Sequence, residues 1–205
     1  MVYLVPFYKN ASFKIKEAPE IIDFVKNKRY DYHRFLSCLN ESFYRYNPDG
    51  KLILSTDSHT KRLGYEGHYY RQDTDEKTII QSKVYNETRF ICDDNGYDEN
   101  IIMCGTDHLI NRNLDKLFLN QDFDIKIPIR KGKRVNNAMI VVKKVTDNVK
   151  RFFEYRYERF IQKNEDPHWD WYGDQRTYDN ILREELNLLP VRDPPKKYSF
   201  KLGSY

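Results

Sequence analysis

No run in this chain of 205 residues reaches the roughly 18–20 uninterrupted apolar residues that a membrane-crossing helix needs. The opening Met1-Val2-Tyr3-Leu4-Val5-Pro6-Phe7-Tyr8-Lys9 also lacks the basic-then-apolar layout of a secretory signal. Cysteine is scarce: Cys38, Cys92 and Cys104 are an odd number with no CxxC pair. Neither a disulfide framework nor a zinc site is therefore expected, and a reducing, cytoplasmic setting fits best. With only 8 Gly and 8 Pro, collagen-like and low-complexity classes are excluded. What is present in their place, 40% hydrophobic and 15% aromatic residues, argues against disorder and for one packed core.

Net charge is +4, too small to name a nucleic acid or a membrane as partner. Its distribution is uneven. Residues 93–124 carry eight acids against Arg112 and Lys116, whereas residues 126–163 carry twelve bases against Asp147, Glu154 and Glu158. Solvated surface produces such blocks most often, but a basic stretch interleaved with Phe and Tyr can also neutralise phosphates and stack bases. A non-catalytic protein that uses residues 126–163 on an anionic partner such as nucleic acid is thus one expectation, weakened because its aromatics share one helical face.

Along the chain, apolar Val2 to Phe7 predicts a first buried strand. Pro19 signals a helix start. Ile21, Ile22, Phe24 and Val25, then Phe35, Leu36, Leu39 and Phe43, hold a helical period broken near Tyr30 and stopped by Asn47-Pro48-Asp49-Gly50. Leu52-Ile53-Leu54 is a second strand, followed by a polar loop and a helix over Ile79 to Glu87. Ile101-Ile102-Met103-Cys104 is a central strand, Asn113 to Phe118 one short helical turn, Phe123 to Ile129 an alternating strand, and Ala138 to Val142 another buried strand. Val149, Phe152, Phe153, Arg156, Tyr157 and Phe160 lie on one helical face that Thr146 or Asp147 can cap. Tyr178, Ile181, Leu182, Glu185 and Leu189 mark a last helix, opened by Gly173-Asp174-Gln175 and ended before Pro190; a tail covers residues 190–205.

Strands alternating with helices, without repeats or linkers, predict an α/β fold: a single domain over residues 1–205 with a mostly parallel central sheet flanked by helices. Ligands of such sheets bind beyond the carboxyl ends of the strands. The polar tips there are Asp57, Gly105-Thr106-Asp107 and Asn136-Asn137. Each taken alone is more often a turn former or a cap.

Their combination says more. Ile101 to Ile110 followed by Asn113-Leu114-Asp115-Lys116-Leu117-Phe118 resembles the segment of GT-A-fold glycosyltransferases in which an apolar strand ends in Asp-x-Asp before a Leu-Asp-Glu-Leu-Phe-like turn. Arg134 to Val142 resembles the family's Phe-Asn-Ser/Ala-Gly-Val strand, and Trp171-Tyr172-Gly173-Asp174-Gln175 its late Asp-Gln motif. The three occur in the family's order over residues 101–189, closest to the retaining glycogenin and bacterial galactosyltransferase type.

The resemblance implies a Rossmann-like GT-A domain, a nucleotide-sugar donor, an unidentified acceptor, transfer of a hexose with retention, and Mn²⁺ or Mg²⁺; the basic stretch over residues 126–163 could present an anionic acceptor to it. By this resemblance Asp107 matches the second metal carboxylate, while Gly105 stands where the first is expected, which puts the metal site in doubt. Gly105 can instead let the backbone approach a diphosphate, with Thr106 donating a hydrogen bond. Asp174 holds sugar hydroxyls and Gln175 lies near the anomeric face; a plain helix cap at Asp174 is an equal and compatible reading. Asn136 and Asn137 fall at the strand that contacts donor or acceptor, and Trp171 can stack on a sugar. The family's C-terminal His has no counterpart, leaving Lys201 for the diphosphate.

Overall fold

The computed structural model describes residues 1–6, 32–58, 67–73, 79–119, 122–130, 134–136, 138–163, 173–185 and 202–203. The helix expected from Pro19 to Tyr30 and most of the tail fall outside them, as do Asn137, Trp171 and Lys201.

Seven strands make the main sheet, in the order β3-β2-β1-β4-β8-β5-β9. β1 (Val2–Pro6), β2 (Lys51–Thr56), β3 (His68–Arg71) and β4 (Glu99–Cys104) run parallel to one another. The apolar runs of β1, β2 and β4 suit a sheet covered on both faces. β8 (Met139–Lys144) is antiparallel to both β4 and β5 (Ile125–Lys126), and β9 (Leu202–Gly203) closes the edge parallel to β5. The α/β class and the mostly parallel sheet match expectation. The reversal of β8 adds a consequence: Met139 pairs with Cys104, so the residues before β8 sit at the same end as the carboxyl ends of β1, β2 and β4.

Two expectations need correction. The polar loop predicted between β2 and the next helix contains β3, whose Tyr69 and Tyr70 pack against opposite faces of the sheet. The single strand expected over Phe123 to Ile129 is instead two short ones. β5 belongs to the main sheet, while β6 (Ile129–Arg130) pairs with β7 (Arg134–Val135) in a separate two-stranded sheet. Pro128 lies between them, and a residue without an N–H cannot continue a ladder.

Period-two alternation divides the strands between two cores. Val2, Leu4, Ile53, Ile101 and Met103 face one side, with Phe90 and Ile91 of α2 (Ile79–Cys92), Val149, Phe152 and Phe153 of α3 (Asp147–Lys163) and Tyr178 of α4 (Gly173–Asn180). Tyr3, Val5, Leu52, Leu54, Ile102 and Cys104 face the other, with Leu36, Leu39 and Phe43 of α1 (Tyr32–Tyr46). The last helix stops being α-helical after Asn180 and continues as a π-helical turn over Ile181–Glu185. Phe152, Phe153 and Phe160 are fully buried, Lys126 is buried with its ammonium 4.1 Å from the Phe123 ring, and Arg156 is fully buried. The three phenylalanines of residues 126–163 are therefore core, while Tyr155 and Tyr157 are half-buried, which leaves little stacking surface for an anionic polymer.

Ile102 is fully buried at the centre of the sheet. Ile102→Ala is expected to lower the unfolding free energy by about 2–5 kcal/mol in urea melts. Leu109→Ala, at a residue 71% exposed, should stay within about 0.5 kcal/mol.

Candidate active site

At the carboxyl end of β4 the chain turns through Gly105-Thr106-Asp107 and is then tied to α1. The Ile110 N–H donates to Ser42 Oγ at 3.1 Å, and the Leu114 N–H donates to Asn47 Oδ1 at 2.7 Å. Ile110, Leu114 and Phe118 bury themselves on the α1 side, and Asp115–Leu117 forms a 3-10 turn, the short helical turn expected there. This anchoring fixes the segment downstream of Asp107. Thr106 is buried and Asp107 exposed. A Cβ at Gly105 would stand 2.6 Å from Asp107 Oδ1, so the carboxylate occupies the space a side chain would need. His108 turns back on the strand: its Nδ1 contacts Cys104 Sγ and lies 3.2 Å from the Gly105 carbonyl oxygen. Burial pushes the Cys104 thiol up to about 12.

On the opposite face of the sheet, Asp174 in the first turn of α4 is buried, and both its oxygens are engaged. Oδ1 accepts from the Gln175 N–H at 2.7 Å, and Oδ2 accepts from Lys83 Nζ of α2 at 2.7 Å. Lys83 Nζ also lies 3.9 Å from Glu87 Oε1, and Glu87 Oε2 accepts from Arg156 Nη2 of α3 at 2.6 Å. The Arg156 guanidinium sits 4.5 Å from the Tyr178 ring centroid. Two cations and two anions thus form one chain of contacts joining three helices. Burial alone would push the Asp174 carboxyl up, but the charge and hydrogen bond of Lys83, with Arg156 behind it, hold it below its ordinary value. Burial opposes the Lys83 ammonium too, and Asp174 and Glu87 outweigh it and raise Lys83 above its ordinary value. Asp174 is more than a cap, because its second oxygen carries a salt bridge rather than a helix N–H.

The remaining tips are polar and enclosed. Asp57 is buried after β2, its carbonyl accepting from Arg71 Nη1 at 2.7 Å. Beside it, Ser55 Oγ and Thr56 Oγ1 are buried without a hydrogen-bond partner among the described residues. Asn136 Oδ1 accepts from the Ala138 N–H at 3.4 Å, and the neighbouring Val135 N–H donates to Asp179 of α4 at 3.2 Å. β7 is thereby docked against the helix that carries Asp174. Lys83, Glu87 and Arg156 were missed as site residues in the sequence. Two signals pointed to them: Lys83 and Glu87 stand four apart on one helix, and Arg156 occupies an otherwise apolar face.

No protein-family model matches the chain, and no curated protein sequence matches it. Solved structures do. The glycosyltransferase GlyE of Streptococcus pneumoniae TIGR4 superposes with a TM-score of 0.57 at 10% identity, over 100% of this chain and 44% of that one. The galactosyltransferase LgtC with donor and acceptor sugar analogues gives 0.51 at 10% identity, over 88% and 70%. Mouse xyloside xylosyltransferase 1 gives 0.53 at 11%, over 89% and 81%. The chain spans less than half of GlyE. At such identities the likeness establishes the fold: this chain is folded like GT-A-type nucleotide-diphospho-sugar glycosyltransferases.

Lys83→Ala should leave Asp174 buried without its counter-charge and lower stability by about 3 kcal/mol at neutral pH. A carboxyl depressed in the folded state contributes stability above its unfolded value and loses it as pH falls through the folded one. The gap between wild type and Lys83→Ala in denaturant melts should therefore narrow in acid. A gap that widens below pH ~4 would contradict the ionised pair.

Proposed function

We propose that the protein transfers a hexose from a nucleotide-sugar donor to an acceptor nucleophile with retention of anomeric configuration. One observation carries this reading. In a fold shared with glycosyltransferases, Asp174 of the late Asp-Gln motif is buried, ionised and fixed by Lys83 at 2.7 Å. A carboxylate so held accepts hydrogen bonds from sugar hydroxyls without reorganising, which is how a preorganised site favours one pose of the reacting centre. Gln175, the next residue, is half-buried, and on this reading it lies near the anomeric face of the donor sugar. On this reading Asp57, Thr106, Asn136, Asn137, Trp171 and Lys201 contact the donor or acceptor.

The metal of this fold family meets a poor donor set. Among the described residues no three His, Cys, Asp or Glu side chains come together as a cation site, Gly105 supplies no carboxylate, and Asp107 is exposed. One carboxylate does not make a resident Mn²⁺ or Mg²⁺ site, because such ions take about six oxygen ligands. Either ion is therefore proposed to enter only with the diphosphate, whose oxygens complete its shell around Asp107. Gly105→Asp would return a second carboxylate beside Asp107, whose flexible side-chain end must swing aside to admit it.

Nucleoside diphosphates at about a hundred times their dissociation constant should stabilise the protein by about 2.7 kcal/mol in thermal-shift assays. Asp107→Ala and Asp174→Asn should each lower donor turnover by about two orders of magnitude, with the circular dichroism spectrum unchanged. Neither binding nor slow hydrolysis of UDP-, GDP- or TDP-sugars, with and without Mn²⁺, would overturn the reading. Calorimetry should detect metal uptake by the nucleotide complex and little by the free protein, and Gly105→Asp should strengthen the latter. Tight uptake by nucleotide-free wild type would refute the metal assignment.

A further inference from the structure

The least expected feature of the interior is Arg156. It is fully buried on α3, with Phe152, Phe153 and Phe160 on the same helical face. Its Nη2 donates to Glu87, its Cζ lies 4.5 Å from the Tyr178 ring centroid, and Nε and Nη1 have no hydrogen-bond partner among the described residues. Burying a guanidinium with unsatisfied donors costs more than packing a methionine of similar length there, and such pairs replaced by apolar residues are often neutral or stabilising. Stability alone thus gives no reason for an Arg156–Glu87 pair at this place.

Position supplies one. Glu87 faces Arg156 with one oxygen and Lys83 with the other, and Lys83 in turn holds Asp174. We propose that the Arg156–Glu87 pair is a positioning device: it holds the Lys83 ammonium between two carboxylates, and through Lys83 it sets the orientation and charge of Asp174. The inference rests on the transferase reading for its purpose and on the geometry alone for the coupling. Three links separate Arg156 from the motif carboxylate, and each crosses between helices or successive turns of one: α3 to α2, along α2, and α2 to α4. Among the described residues the charged and titratable groups facing Asp174 are Lys83 and Glu87 from α2, Arg156 from α3 and Tyr178 from α4 itself.

Coulomb's law makes the coupling testable by sign. Arg156→Met removes a positive charge and lets Glu87 draw Lys83 away, so Asp174 should take up a proton at higher pH than in wild type. Glu87→Gln removes the competing negative charge, so Asp174 should stay ionised to lower pH. The double variant Arg156→Met/Glu87→Gln removes both charges and restores neutrality. It provides a folded control even where a single variant, with one buried charge unpaired, fails to fold.

Two measurements separate the coupling from the activity. The Asp174 carboxyl ¹³C resonance, followed against pH in the wild type and all three variants, should move in opposite directions for the two single variants and return toward wild type in the double. Donor hydrolysis by the double variant should show kcat reduced by about tenfold to a hundredfold, with KM and melting temperature near the wild type. Shifts of the same sign in both single variants, an unshifted Asp174 in a folded single variant, or wild-type kcat in the double would overturn the proposal. If only the double variant folds, its kcat decides. Wild type without donor turnover would instead refute the transferase reading, and the carboxyl titration would still decide whether Arg156 and Glu87 govern Asp174.

Discussion

Three buried charges and a fourth that is partly buried, Lys83, constrain the helical side of this protein. A lone carboxylate or ammonium taken out of water costs several kcal/mol, so Asp174, Lys83, Glu87 and Arg156 are tolerable only as a set of balanced sign. The set spans three helices, and none of the four can be satisfied unless α2, α3 and α4 take their relative places. Apolar packing of Phe90, Phe152, Phe153 and Tyr178 brings these helices to the sheet. The charges then select one register among the packings that hydrophobic contact alone would allow, since sliding a helix by one turn separates ion pairs now at 2.6 and 2.7 Å.

The sheet supplies the second constraint. If β8 ran parallel like its neighbours, Asn136 would lie at the amino end, away from Asp57 and Asp107. Because β8 is reversed, with Met139 opposite Cys104, Asn136 gathers at the same end as Asp57 and Asp107. That end has a rigid flank and a solvated one. Asp174 is buried and doubly engaged, whereas Asp107 is exposed on a turn whose downstream residues α1 holds through Ser42 and Asn47. Screening weakens what Asp107 can do for a small cation by itself.

How far this was legible in the sequence follows from the range of each interaction. Apolar runs such as Val2 to Val5 and Ile101 to Cys104 declare buried strands because every residue in them meets a covered face. The inward face of α3 was legible from spacing, Arg156 included. β3 was hidden: four residues, His68 to Arg71, carry no clear alternation, and they become a strand by pairing with β2. The break at Pro128 was written in the sequence but outweighed by the alternation around it. Lys83 could not be read as a partner of Asp174, since 91 residues separate them and nothing local to either marks the other.

The same reasoning explains why the motif carboxylates had to be judged by environment. From sequence, Asp107 and Asp174 are alike: each an acid beside a turn, each matching a motif. In the fold they separate. Asp107 is exposed to water, where its carboxylate is within reach of an arriving cation. Asp174 is buried to within a few per cent of its surface, its charge held by Lys83 against the cost of burial, so rotating it breaks that pair. A group of the first kind suits a transient, charged ligand. One of the second suits neutral hydroxyls that must be held in one geometry, and under the proposed transferase reading the two carboxylates would divide the work in that way.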